Sequence, residues 1–285
     1  MILLNGITGK TGSVAARALV GKGLRLRAIV RNEEKAKAFK DAGIELIVGD
    51  AGDDATLTKA MTGVAKALLI MPNNEKQAAL EEHFVDKAKA AGVKHIVKMS
   101  SMEAVPGAKA AIPATHVRVE AYIRASGLAW TMIRPNFFMQ NLLGNARTIK
   151  EQGTFSLPCG QGKTGMSDTR DVGAVIAAVL AGQGHEGQSY ELTGPELLSF
   201  ADVAQRFSEV LGKTVTYIDQ PMAEYRAYLG KFLTNAWHHN AVCELFGEIA
   251  EGGLNKTTDT IERILGRKPT SLKQFIVDHI AVFKG

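Results

Sequence analysis

Cysteines and long apolar runs are both scarce in this sequence. Cys159 and Cys243 are the only cysteines among its 285 residues, so a disulfide framework is excluded and a reducing, cytoplasmic location is expected. No stretch of about eighteen apolar residues occurs, which argues against a transmembrane helix and a membrane partner. The residues after Met1 already predict a strand, and they leave no room for a secretory signal.

The sequence also lacks a block of basic residues, although its net charge is +5. Lysines and arginines are spread along predicted helices and are mixed with glutamates, as in residues 32–37. A nucleic-acid-binding face would instead concentrate them beside aromatic side chains. A nucleic-acid partner is therefore not expected. A homodimer is compatible with the sequence, although no segment identifies an interface.

A metal centre is not expected either. His238 and His239 are adjacent, so on a helix their side chains point about 100° apart. No carboxylate or cysteine accompanies them at a spacing typical of a metal site.

Strand-like and helix-like segments alternate with short connections as far as about residue 150. The predicted strands are 1–4, 26–30, 44–48, 67–71, 95–99 and 130–133, and the predicted helices include 55–61, 75–91 and 115–125. A continuous apolar run such as 67–71 is typical of a parallel strand covered on both faces. The sequence therefore predicts an α/β fold with a doubly wound parallel sheet of the Rossmann type.

The pattern becomes mostly helical in the C-terminal part of the chain. We assign residues 1–152 to a dinucleotide-binding domain, to which residues 170–195 return. Residues 153–169 and 196–285 are assigned to a smaller, mostly helical lobe that binds the substrate. In that lobe Ser199 is predicted to cap a helix, and residues 214–219 are predicted to form a lone strand.

A glycine-rich turn lies between the first strand and the first helix. Residues 6–12 read GITGKTG, with glycines at G-x-x-G-x-x-G spacing. Such a turn aims free backbone N–H groups and the positive end of a helix at one point, which suits the pyrophosphate of a dinucleotide. The spacing alone is weakly specific, and a glycine turn without a ligand is the alternative.

Arg31 follows the second predicted strand, at the position where NAD-binding folds place an acidic residue for the ribose. An arginine can stack on adenine and pair with a 2′-phosphate, which a carboxylate would repel. Asn32 and Lys35 lie close by in the sequence. These residues predict a preference for NADPH over NADH, whereas a solvated loop cation is the alternative.

Ligands of doubly wound sheets bind outside the carboxyl ends of the strands. The residues at or just after the predicted strand ends are Asp50, Met71, Pro72, Asn73, Ser100, Ser101, Met102, Pro135, Asn136 and Phe137. The apolar ones, with Phe138 and Met139, predict an adaptable pocket that suits a flat aromatic acceptor. Ordinary core packing is the alternative for many of them.

The order of these motifs resembles the NmrA-like branch of the atypical short-chain dehydrogenases. The matching segments are 6–12, 31–32, 49–50, 133–141, 171–172 and 190–195. The resemblance covers essentially the whole chain and is greatest with bacterial quinone reductases and flavin-free azoreductases. It implies NADPH as cofactor, weaker binding of NADH, and no flavin. The residues assigned to the cofactor are Gly6, Thr8, Gly9, Lys10, Thr11, Gly12, Arg31, Asn32, Lys35, Asp50, Met71, Pro72, Ser100, Pro135, Asn136 and Phe137.

The comparison with this family also reveals a departure. The Tyr-x-x-x-Lys pair of typical short-chain dehydrogenases is replaced by His116 and Glu120. One helical turn separates the two, so Glu120 could orient the imidazole or hold it protonated, and His116 could supply a proton. The related isoflavone-reductase-like enzymes have a lysine at the position of His116. A surface ion pair is the alternative. Ser101 and Ser100 are candidates to hydrogen-bond nicotinamide or substrate, or simply the backbone.

Two functions fit this sequence. The favoured one is an enzyme that transfers hydride from NADPH directly to a small aromatic acceptor, an azo compound or a quinone. The alternative is a redox sensor that binds dinucleotide without turnover, since regulators occur in the same family and the usual tyrosine is missing. The apolar residues near the strand ends favour the enzyme.

Overall fold

A seven-stranded sheet organises the structure, a computed structural model that describes residues 1–284. Two small two-stranded sheets accompany it. The strands of the large sheet are β1 (Ile2–Asn5), β2 (Leu26–Val30), β3 (Glu45–Val48), β4 (Lys66–Leu69), β5 (His95–Met99), β6 (Ala129–Pro135) and β9 (Gln188–Leu192). The short strands of the small sheets are β7 (Thr154–Leu157), β8 (Lys163–Thr164), β10 (Leu198–Ser199) and β11 (Thr216–Asp219).

The strand order of the large sheet is β3-β2-β1-β4-β5-β6-β9. Neighbouring strands from β3 to β6 pair in parallel. The chain builds outward from β1 to β3, then returns to place β4 on the other side of β1. This reversal is the topological switch point of a doubly wound sheet, where ligands bind beyond the carboxyl ends of the strands. The predicted Rossmann-type fold is confirmed.

Thirteen helices and one 3₁₀ segment, Met139–Asn145, complete the described chain. The helices are α1 (Lys10–Leu19), α2 (Glu33–Asp41), α3 (Asp54–Met61), α4 (Gln77–Ala90), α5 (Ala111–Ala125), α6 (Ala146–Gln152), α7 (Thr169–Ala181), α8 (Phe200–Leu211), α9 (Met222–Leu229), α10 (Ala236–Ala250), α11 (Thr260–Leu265), α12 (Leu272–Asp278) and α13 (Ile280–Phe283). Within residues 1–284, no helix combines the length and the apolar composition needed to cross a bilayer.

The described chain divides into two compact units. The first contains Met1–Pro106, Thr115–Arg134 and Thr169–Tyr190, and the second contains Gly107–Ala114, Pro135–Asp168 and the chain from Glu191 onwards. The sequence-based division placed residues 107–114, 135–152 and 191–195 with the dinucleotide-binding domain, whereas the contacts of the structure group them with the second unit. Thr169, which was assigned to the lobe, belongs to the first unit.

The core of the first unit is built from apolar residues on β1 to β6 and on helices α3 to α5. Leu3, Leu69, Phe84, Ile96 and Met132 are among its most buried members. Removing such side chains from water is the main favourable contribution to folding, about 1.5–3 kcal/mol for each large apolar residue. This packing holds the strand ends in fixed positions.

Three local predictions have clear outcomes in the structure. Ser199 does cap α8, and its Oγ accepts a hydrogen bond from the Asp202 N–H while Asp202 bonds back in a capping box. Helix α5 begins at Ala111, before the predicted Thr115, because Pro113 is tolerated in a first turn where its missing N–H is not needed. The strand predicted at 214–219 is present as β11, but it is not a lone strand, since it pairs in parallel with β7.

Candidate active site at the carboxyl ends of the strands

The glycine turn between β1 and α1 needs its glycines for steric reasons. Gly6 has φ of +84°, in the left-handed region that side chains rarely adopt. A Cβ on Gly12 would lie 2.2 Å from the carbonyl oxygen of Gly6. The Gly9 N–H donates to that same oxygen at 3.0 Å, which closes the turn. The first turn of α1 is thus packed directly on the end of β1.

Helix α1 begins without a side-chain cap. Gly9 is its N-cap residue, and no side chain among residues 1–284 accepts a hydrogen bond there in the usual capping manner. The first turn carries no acidic residue, and Thr8, Gly9 and Lys10 are exposed. Free N–H groups at the positive end of a ten-residue helix, with a lysine beside them, form an arrangement that attracts an anion.

Arg31 is exposed immediately after β2, where its side chain is free to meet a charged ligand. Asn32 has a structural role, because its Oδ1 accepts from the Lys35 N–H at 3.0 Å and caps α2. Lys35 itself is exposed in the first turn of α2. Two exposed cationic side chains, Arg31 and Lys35, therefore follow β2 within a few residues of each other.

The ends of β3 and β4 are fixed by local polar contacts. Asp50 Oδ1 accepts from the Gly52 N–H at 2.8 Å in a tight turn after β3. Asn5 Nδ2 donates to the Ile70 carbonyl at 2.9 Å and contacts the Met71 sulfur at 3.4 Å, which ties the end of β1 to the segment after β4. Met71 is half-buried and Pro72 is exposed.

Glu120 belongs to a buried charged cluster with residues at the ends of β5 and β6. Ser100 Oγ donates to Glu120 Oε1 at 2.6 Å, and Arg134 forms a two-point contact with both carboxylate oxygens. Arg124 also donates to Oε2 at 2.8 Å. Burial alone would raise the pKa of Glu120, but the hydrogen bonds from Arg134 and Ser100 and the charge of Arg134 lower it below its usual value.

The expected pairing of Glu120 with His116 is therefore wrong. The hydrogen bonds of the carboxylate go to Ser100, Arg124 and Arg134, because a guanidinium offers a fork of donors that an imidazole does not. The alternative of a surface ion pair is also wrong, since His116 is only 5% exposed and Glu120 is fully buried.

His116 instead contacts Lys98, a residue that the sequence analysis did not identify. Lys98 Nζ lies 3.1 Å from His116 Nδ1, and both side chains are buried. Burial and the charge of Lys98 depress the pKa of His116 well below its usual value. The imidazole is therefore neutral at neutral pH, in contrast to the expectation that a carboxylate holds it protonated.

Ser101 and Met102 follow β5 at the same end of the sheet. The Ser101 Oγ is buried and has no hydrogen-bond partner among residues 1–284, which is unusual for a hydroxyl. Met102 is 8% exposed. The Ser101 hydroxyl therefore has unused hydrogen-bonding capacity, whereas the hydroxyl of Ser100 is already engaged by Glu120.

In the second unit, the segment after β6 has a largely structural role. Asn136 Oδ1 accepts from the Thr164 hydroxyl and the Phe137 N–H, and its Nδ2 donates to the Leu254 carbonyl at 3.2 Å. The Phe137 ring packs edge-on against Phe200, with ring centroids 5.9 Å apart. The predicted pocket residues Pro135 and Met139 are buried and Phe138 is half-buried.

The comparisons with known proteins agree with this architecture. The model of the NmrA-like family matches residues 1–276. The chain is 34% identical over 283 residues to the NAD(P)H azoreductase of Xenophilus azovorans, with 99% of each protein covered.

Two solved structures are similar to this chain in their three-dimensional fold. The chain superposes with a TM-score of 0.90 on the NADPH-dependent quinone oxidoreductase of Escherichia coli in complex with NADPH, at 30% identity, covering 98% of this chain and 100% of that one. The triphenylmethane reductase of Citrobacter sp., complexed with NADP(H), gives 0.88 at 26% identity, covering 97% and 99%. The resemblance noted from the sequence is thus confirmed, and this protein belongs to the NmrA-like family.

Proposed function

We propose that this protein is an NADPH-dependent reductase that transfers hydride directly to a small aromatic acceptor, either an azo compound or a quinone. The observation that carries the proposal is the uncapped N-terminus of α1 packed on a glycine turn, in a chain similar along its length to reductases of this kind. Bound NADPH supplies the hydride, and this chain supplies binding, orientation and protection from water.

The residues at the switch point fit a dinucleotide. The free N–H groups at the start of α1 and Lys10 suit the pyrophosphate, and the absence of a Cβ at Gly12 keeps helix and turn close together. Beyond β2, Arg31 suits the 2′-phosphate, assisted by Lys35. Met71, Pro72 and Asp50 are further residues of the first unit that we assign to the cofactor.

The acceptor end of the site is assigned to the residues after β5 together with His116. The unpartnered Ser101 hydroxyl is a hydrogen-bond donor for the nicotinamide or the acceptor. Glu120 is a positioning residue, because its cluster with Ser100 and Arg134 fixes the segment that carries Ser101. The apolar residues Met71 and Met102 favour a flat aromatic acceptor over a sugar.

Turnover with a panel of acceptors tests the proposal. Purified protein, free of added flavin, is mixed with NADPH and with quinones and azo dyes, and NADPH absorbance is followed. We expect oxidation that depends on the acceptor. Binding of NADPH without oxidation by any acceptor would favour the sensor instead.

Substitution of Arg31 by aspartate is expected to weaken NADPH binding by about 10–100-fold, the worth of one charge-assisted hydrogen bond, and to leave NADH binding nearly unchanged. The reason is that the new carboxylate repels the 2′-phosphate, which NADH lacks. Fluorescence titration with both nucleotides measures the effect. Arg25→Asp, an exposed arginine before β2, is the matched control. Equal losses for the two nucleotides would refute the assignment.

Substitution of His116 by alanine is expected to lower kcat on the order of 10²-fold, as for the loss of one donor that stabilises developing charge. The Kd for NADPH should change little, because His116 is assigned to the acceptor. Steady-state kinetics and nucleotide titration separate the two effects. His83→Ala, which alters a half-buried histidine on α4, should leave kcat unaltered. An unchanged rate for His116→Ala would remove this residue from the mechanism.

A further inference from the structure

Lys98 is fully buried in β5, where the other strand residues of the core are mostly apolar. Its ammonium nitrogen forms an ion pair with Glu81 Oε2 on α4 at 2.8 Å, and both side chains have no exposed surface. Gln77, one turn earlier on the same helix, contacts the other oxygen of Glu81 at 3.3 Å. Burying both charges costs free energy that their attraction does not reliably recover. Stability alone therefore does not explain why this ion pair is present.

Three acceptors surround the ammonium of Lys98. Besides Glu81, the nitrogen donates to the carbonyl of Met99 at 2.7 Å and approaches His116 Nδ1 at 3.1 Å. An ammonium has three protons to donate and no lone pair with which to accept. Glu81 Oε2 balances this charge in an ion pair but has no hydrogen-bond partner among residues 1–284, whereas the Met99 carbonyl and His116 Nδ1 must each accept a hydrogen bond from the ammonium.

This requirement fixes the state of the imidazole. If His116 Nδ1 accepts a hydrogen bond from Lys98, it carries no hydrogen of its own, and the hydrogen of the neutral ring must lie on Nε2. A doubly protonated ring is excluded by the same contact, because it would place two N–H donors against each other. The Lys98 charge thus selects one of the three forms that a histidine can adopt.

We propose that Lys98, held by Glu81, is a positioning residue that fixes His116 as the neutral tautomer with hydrogen on Nε2, so that the ring offers the acceptor a hydrogen bond rather than a transferable proton. This inference rests on the proposed reductase function. It changes the role of His116 from a general acid to a donor that stabilises negative charge on the quinone oxygen or azo nitrogen.

The chemistry balances without an imidazolium. Hydride brings one hydrogen and two electrons to the acceptor, which leaves a negative heteroatom while the nicotinamide becomes oxidised. The Nε2–H hydrogen bond stabilises that charge. The second hydrogen then arrives as a proton from water, so that one proton is consumed from solvent for each acceptor reduced.

The tautomer can be observed directly by NMR. Protein labelled with ¹⁵N in its seven histidines is examined through two-bond hydrogen–nitrogen correlations, and the His116 signal is assigned by its loss in His116→Gln. We expect a protonated Nε2 and an unprotonated Nδ1 at neutral pH, and the same pattern below the pH at which an ordinary histidine becomes charged, because burial and Lys98 lower the pKa of His116. Hydrogen on Nδ1, or an imidazolium at neutral pH, would overturn the proposal, whether or not the protein reduces an acceptor.

A pair of double variants tests the part played by Lys98. Glu81→Gln with Lys98→Met removes both buried charges and the donor to Nδ1, so we expect the Nδ1–H tautomer to appear. Glu81→Asp with Lys98→Arg keeps an ion pair and a cation that can only donate, so the Nε2–H tautomer should be retained. Lys94→Met, at an exposed lysine just before β5, is the control. An unaltered tautomer in the Met variant would show that Lys98 does not select it.

Discussion

Replacing Gly12 with alanine is expected to raise the Kd for NADPH by more than about 100-fold. The new Cβ would lie 2.2 Å from the Gly6 carbonyl oxygen and 2.7 Å from its carbonyl carbon. Both are backbone atoms that cannot rotate away, so the helix must move off the turn. The N–H groups at the start of α1 then no longer converge on one point, and overpacking itself costs about 1–3 kcal/mol of stability.

Gly247→Ala is the matched control for this variant. Gly247 lies inside α10, and no described atom other than those of its own helix and chain neighbours lies within 4 Å of the added methyl group. Alanine in a helix interior is favoured over glycine by about 0.5–1 kcal/mol, so the control should be as stable as the unmodified protein or more stable. Nucleotide titration and thermal unfolding measure both variants. NADPH binding that survives in Gly12→Ala would remove the glycine turn from the cofactor site.

Lys98→Met is expected to lower the free energy of unfolding by about 3–5 kcal/mol, because it leaves the fully buried carboxylate of Glu81 without a counter-ion. Adding Glu81→Gln should restore most of that loss, since a neutral amide can be buried beside Gln77 at far lower cost. Urea unfolding of the single and double variants at one pH measures the difference. If Lys98→Met and the double variant were equally destabilised, the lysine would not stabilise the protein by balancing the charge of Glu81.

The sequence predicted the elements whose signal is local. Strand β5 has the predicted bounds His95–Met99, and Ser199 caps its helix, because alternation, apolar runs and capping residues act within a few positions. The alternation of strand-like and helix-like segments was likewise sufficient to predict the parallel sheet. Pairing of β11 with β7 was missed, since the partners lie about sixty residues apart and neither strand has a distinctive pattern.

The partners of the site residues were harder to predict than the residues themselves. Helical spacing placed Glu120 beside His116, but Arg134 on β6 competes for the carboxylate with two parallel hydrogen bonds. Lys98 was missed because a lysine in a strand is usually exposed, and its partner Glu81 lies on another helix. The available signal was a lysine within the mostly apolar strand β5.

The transfer of hydride from NADPH to an aromatic acceptor is most directly tested by a single turnover. Flavin-free protein saturated with NADPH, carrying either hydrogen or deuterium at C4 of the nicotinamide, is mixed rapidly with a quinone or an azo dye while NADPH absorbance is followed. We expect loss of about one equivalent of NADPH per protein and a slower reaction with deuterium. Bound NADPH that stays reduced with every acceptor, or a reaction that requires added flavin, would contradict it.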